Sequence, residues 1–128
     1  MPALPGETYF NACQIATANT NRDGTGTIEE LAFAEDRDLD VSLVYVVGVG
    51  TVTDGVVRIF HWNQSVYRLV KELMVKATTP SATVEAFTGK WQIDPYNEIL
   101  WPLKIGEKLF VSTHNAETLN AFAVGRYR

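Results

Sequence analysis

The chain has 128 residues, 46% hydrophobic and 20% charged, with a net charge of −4. That length suits one domain with its own core, and the balance excludes a disordered polymer. An acidic chain lacks the basic surface that phosphate binding needs, which speaks against nucleic acid as the main partner.

The first seven residues, "MPALPGE", hold two prolines and a glycine and little apolar surface. Pro2 and Pro5 fix φ and withdraw backbone donors, so this stretch is expected to be an extended arm outside any sheet interior. Pro2, Leu4 and Pro5 are its candidate contacts to a neighbouring subunit. From residue 8 onward the signal is β: short runs rich in Val, Ile, Thr, Phe and Tyr, separated by Gly, Asn, Asp and Pro clusters. The predicted strands are 8–17, 27–34, 40–48, 56–62, 66–76, 82–91, 107–113 and 119–125. Hairpins are expected at "TDG" (53–55) and "NQS" (63–65). Alternation puts Val41, Leu43, Tyr45 and Val47 on one face of the third strand. In the fifth, Tyr67, Leu69, Leu73 and Val75 share a face, with Arg68 and Glu72 opposite. Lys71 interrupts that pattern, which points to a bulge or an exposed rim. "LVKELMVK" also fits a helix, but the flanking valines and neighbouring strands decide for β. About eight antiparallel strands in residues 8–128 suggest a single β-sandwich domain of jelly-roll type. The longest apolar run, "VYVVGVG" (44–50), is too short to span a bilayer, so no membrane partner is expected. No basic-then-apolar leader opens the sequence, which suggests synthesis in the cytoplasm.

"NRDGTGTIEELA" (21–32) imitates a calcium loop. With Asn21 as first ligand, Asp23, Thr25 and the Thr27 carbonyl follow, Gly26 sits at the turn and Ile28 in its usual place, but the twelfth position is Ala32 instead of a bidentate glutamate. With Asn19 first, Glu30 reaches the twelfth position, but Gly26 then takes the place of the aliphatic residue. Neither flank reads as an EF-hand helix, so the stretch is expected to be a strand connection and no metal site is assigned.

Other chemistry is sparse. Cys13 is the only cysteine; it can form neither an internal disulfide nor a zinc site alone, and it suits a buried strand position. His61 and His114 stand at strand ends with no nucleophile motif nearby. Asp36, Asp38 and Asp40 alternate on one side of an extended segment but read as a solvated cluster around Arg37. Trp91, Tyr96 and Trp101 lie in the proline-bearing stretch 91–108, where they could close the sandwich, meet a partner protein or stack on a sugar. The glycines of "VGVGTVTDG" lack the dinucleotide spacing and no helix follows them. No catalytic residue and no cofactor is expected.

"ANTNRDGTGTI" (18–28), "GVVRIFHWNQSVYRLVKELMV" (55–75), "TTPSATVEAF" (78–87) and "STHNAETLNAFAVG" (112–125) together resemble a family of small virion proteins encoded in the structural-gene clusters of tailed phages and prophages. The resemblance covers most of residues 18–125. It departs at the ends, at "EDRDLD" and at "WQIDPYNEILW". It implies a non-enzymatic capsid decoration or cement protein on the outer surface of the virion, binding the major capsid protein where its subunits meet, and often trimeric. The apolar "VVRIF" and "LFVSTH" exceed what one small sandwich is expected to bury, which also favours a homotrimer. The alternative is a tail or baseplate component that binds a host glycan through the 91–101 loop.

Overall fold

A computed structural model describes residues 3–92 and 101–128. Among these, nine strands run in chain order: β1 Thr8–Ile15, β2 Glu29–Phe33, β3 Leu39–Gly48, β4 Gly55–Trp62, β5 Tyr67–Val75, β6 Thr88–Trp91, β7 Trp101–Leu103, β8 Lys108–Thr113 and β9 Leu119–Tyr127. They form two sheets with antiparallel ladders throughout. One has the order β1-β9-β3-β6, with β7 also paired to β3; the other has the order β2-β8-β4-β5. No helix among the described residues is long and apolar enough to cross a membrane.

Seven of the expected strands match closely. The eighth does not: residues 81–84 turn back on themselves, with Ser81 N–H donating to Val84 O at 2.9 Å, and the strand begins only at Thr88. β7 is an addition inside the stretch read as irregular. Its Pro102 sits opposite Asp40, on the flank of β3 away from β9, where a missing donor costs the sheet little. "NQS" does form a hairpin, with Trp62 paired to Tyr67 and Gln64 in the left-handed region at φ 79°. "TDG" does not. The segment it ends leads from β3 in one sheet to β4 in the other, with Val52 bridged to Thr78 on the way.

The core lies between the sheets. Leu39, Val41, Val44, Val46, Ala121 and Ala123 face Leu31, Val57, Ile59, Leu109 and Val111, all essentially fully buried. Two bulges determine which side chains reach it. The ladder of β3 with β9 slips between Val41 and Leu43. Val41 therefore points inward, and the inward set resumes at Val44, leaving Leu43, Tyr45 and Val47 on the outer surface with Val41 no longer among them. A single inserted residue reverses every later side chain, because the strand repeat is two. In the ladder of β4 with β5, Ile59 pairs with Lys71 and Phe60 with Leu69, so Val70 is the extra residue. The interruption at Lys71 is thus a bulge. Leu73 and Val75 face the core, while Tyr67 and Leu69 lie outside with Trp62 and Phe60.

Residues 3–7 turn beside β9. Gly6 N–H donates to Tyr127 O at 2.7 Å, Tyr127 N–H to Glu7 O at 2.9 Å, and Glu7 N–H to Leu4 O at 3.1 Å. Ala3 is buried, whereas Leu4 and Pro5 are exposed.

Candidate interaction surface

The calcium-like loop connects β1 to β2 and folds over the outer side of the β2-β8-β4-β5 sheet. Asn19, nearly buried, organises it. Its Nδ2 donates to the carbonyls of Thr25 and Thr27, both at 2.9 Å; its Oδ1 accepts Asn21 N–H at 3.0 Å; its own N–H donates to Thr113 O at 2.8 Å. Those two carbonyls hold the seventh place in the two calcium registers, and here an amide occupies both. Gly24 and Gly26 take φ of 89° and 84°. A Cβ on Gly26 would stand 2.8 Å from the Asn19 amide, and one on Gly24 would strike Tyr67. Asp23 Oδ1 accepts the Thr25 hydroxyl and N–H, and these bonds hold its carboxyl below the usual range. Glu30, the other candidate ligand, is 2.8 Å from Lys108 Nζ. Among the described residues no group of three or more His, Cys, Asp and Glu side chains could hold a metal ion.

Beneath this loop lies Arg58, only 3% exposed although it points away from the core. Its Nε donates to Glu72 at 2.8 Å, Nη1 to the Asn19 carbonyl at 3.2 Å and Nη2 to His114 Nδ1 at 3.2 Å. A guanidinium is donor-only, so His114 Nδ1 must be the acceptor. Phe60, two residues along on the same outer side, is fully buried. The apolar surplus of "VVRIF" and "LFVSTH" is therefore covered largely within the chain. Val57, Ile59, Leu109 and Val111 enter the core, Phe60 lies on the covered outer side, and Phe110 packs edge-on against Tyr67 at 5.4 Å.

His61 and His114 lie towards opposite ends of β8 and do not meet. His61 points into one end of the sandwich, 3.1 Å from Glu107 and edge-on to Trp101 at 5.7 Å. Trp91 and Trp101 are 6.0 Å apart, half-buried and packed against the core. Tyr96 and Pro2 lie outside the described residues. Two of the aspartate row meet one arginine: Asp38 accepts the Ile105 N–H and approaches Arg128, and Asp40 holds Arg128 Nε at 2.9 Å. Cys13 packs against the core, and burial pushes its thiol pKa up to about 11, with Glu29 and Glu30 adding to the shift. An open cleft of about 530 Å³ runs between Asp54, Met74, Val75, Lys76 and Phe87, with Met74 on its rim.

The feature not foreseen from the sequence is the outer face of the β1-β9-β3 sheet. The ladders place Phe10 beside Val124 and Val124 beside Leu43; the next row runs Ala12, Phe122, Tyr45. Phe10 stacks on Phe122 at 6.0 Å, and Phe122 meets Tyr45 at 6.4 Å, so aromatic rings cross all three strands. Phe10 is 63% exposed. Val47 extends the apolar area into a third row, where Gln14 Nε2 donates to Asn120 Oδ1 at 3.0 Å. Thr8 and Arg126 border the opposite end, and Lys90 the β6 side. An apolar centre with a polar rim is the anatomy of a protein interface. The signal was present in β1 and β9: "YFNACQI" and "LNAFAVG" carry apolar side chains on both faces, which a half-solvated sheet does not require. In β3 it was concealed by the bulge.

No protein-family model matches the chain, and no curated protein matches it.

Proposed function

We propose that the chain is a non-enzymatic virion structural protein of tailed-phage type, decorating the capsid as a homotrimer bound to the major capsid protein. The observation that carries an assembling role is the apolar outer face of the β1-β9-β3 sheet. It is broad, aromatic and rimmed by polar groups, with Phe10 63% exposed on its edge strand. The phage assignment rests on the sequence resemblance.

We also propose that the connectivity is a jelly roll. β6 and β7 share one lane beside β3, so the layers hold eight strand positions. Numbered along the chain, these run 1-8-3-6 in one layer and 2-7-4-5 in the other, the order produced when a paired antiparallel ribbon is rolled into two Greek keys. The inward packing of Trp91 and Trp101 argues against these two rings as a glycan platform.

The test is a cryo-electron-microscopic reconstruction of the particle produced from the gene cluster that encodes the chain. Density for the sandwich on the outer shell at capsid-subunit junctions is the expected result. Its presence in the tail, or absence from the particle, overturns the capsid reading.

A further inference from the structure

We infer that the outer face of the β1-β9-β3 sheet is the contact through which this chain binds a second copy of itself. The inference rests on the assembling role proposed above; a face that meets its own copy closes a two-fold pair, and the homotrimer uses a separate, head-to-tail contact.

The size of the face suits this. Three strand lanes about 4.8 Å apart and about eight residues long at about 3.3 Å each span roughly 380 Å². A copy against a copy then buries on the order of 800 Å² of flat sheet, somewhat under the roughly 1,000 Å² of a specific protein interface. Side-chain relief raises that figure, since Phe10, Tyr45 and Phe122 stand above the sheet and Ala12 leaves a shallow place beside them. Raised rings next to a recess give the face the relief to receive a ring from a like surface.

Charge points the same way. The chain is net acidic, so two copies repel unless they meet where carboxylates are absent. The apolar centre formed by Phe10, Ala12, Leu43, Tyr45, Phe122 and Val124 contains none. Glu29, Glu30, Glu35 and Asp36 instead cluster on and just after β2, in the opposite sheet, and the rim aspartate Asp40 is held by Arg128. The amides in its third row, Gln14 and Asn120, are bonded to each other, and the apolar centre holds no basic cluster of the kind that binds phosphate. Its chemistry matches another apolar, uncharged protein surface, and an identical one is present at equal concentration.

The experiment is sedimentation velocity and light scattering on the full chain over a wide concentration range, with Phe122→Lys, Tyr45→Lys and Phe10→Ser alongside. These side chains lie outside the core, so each variant should keep the wild-type circular dichroism and a cooperative melt. Phe10→Ser, the most exposed site, guards against loss of fold in the others. The wild type is expected to have at least twice the 14.2 kDa mass of one chain. The lysine variants are expected to self-associate at least about 30-fold more weakly, as for loss of an interface anchor. Folded variants with wild-type mass overturn the inference and leave the trimer reading intact, with its interface elsewhere. A wild type that stays monomeric at millimolar concentration overturns both self-association claims. Capsid attachment is then judged separately, by whether the wild type and Phe122→Lys occupy particles. Equal occupancy with lost self-association keeps the inference; a monomeric wild type whose occupancy is abolished by Phe122→Lys assigns the face to the capsid protein instead.

Discussion

Replacing Asn19 with aspartate separates two accounts of the 19–27 loop. A calcium-loop view makes this an improvement, since it puts a carboxylate at the first ligand position. The structure predicts the reverse. Asn19 Nδ2 donates to the carbonyls of Thr25 and Thr27 at 2.9 Å each, and a carboxylate donates nothing. Asn19→Ala removes two donor bonds and an acceptor, each worth about 1 kcal/mol, for a loss of about 2–3 kcal/mol. Asn19→Asp leaves both carbonyls unpaired and aims a nearly buried negative charge at them, raising the loss to about 3–5 kcal/mol. At this chain length about 4 °C accompanies each kcal/mol, so the midpoint should fall by roughly 8–12 °C for alanine and roughly 12–20 °C for aspartate. The assay is thermal unfolding by circular dichroism in chelator and in 1 mM calcium chloride. Calcium should restore neither variant. An aspartate variant as stable as the alanine variant, or one rescued by calcium, would overturn this account of the loop.

Glu72→Gln removes the charge partner of Arg58, which is only 3% exposed, but Glu72 itself is 29% exposed, so the cost is discounted to about 2 kcal/mol. Arg22→Ala breaks the 3.3 Å contact of a 69% exposed side chain with the same carboxylate and should cost under about 1 kcal/mol; equal midpoints in urea would show that the buried pair is not structural. Gly125→Ala places a Cβ 2.3 Å from the Asp40 carbonyl oxygen and 3.0 Å from the Val41 Cα, backbone that cannot swing aside, so it should lose about 3 kcal/mol or more in the same assay, and a loss below about 1 kcal/mol would contradict the close approach. Cys13, with its thiol pushed up to about 11, is thiolate in only about one molecule in a thousand at pH 8, so iodoacetamide should react on the order of a hundredfold more slowly than with a free thiol, the rate rising about tenfold per pH unit. Because burial raises this pKa, the corresponding stability is present below the ordinary thiol range and is lost as pH rises towards about 11; alkylation at the free-thiol rate would contradict the half-buried position against the core.

Strand class and most boundaries were legible in the sequence, because β-branched and aromatic runs between turn residues mark extended segments whatever their partners; the count was not, since nine strands form among the described residues where about eight were expected. The 19–27 stretch was legible as a connection: Gly24 and Gly26 permit left-handed backbone and neither flank has helical spacing. The site was legible only in part. Alternation defines two faces but does not say which one turns inward, and in β3 and β5 a single inserted residue reverses the answer halfway along. That reversal placed Leu43, Tyr45 and Val47 outside, beside Phe122 and Phe10, which are far apart in the chain. The burial of Arg58 was likewise out of reach, since it depends on a connection folding over a sheet of which it is not part. Local residue preference determined that this chain is built of strands and turns. Which strands are neighbours, where the bulges fall and which apolar side chains remain uncovered were decided by packing between segments distant in sequence, where the free energy belongs to the pair and not to either segment alone.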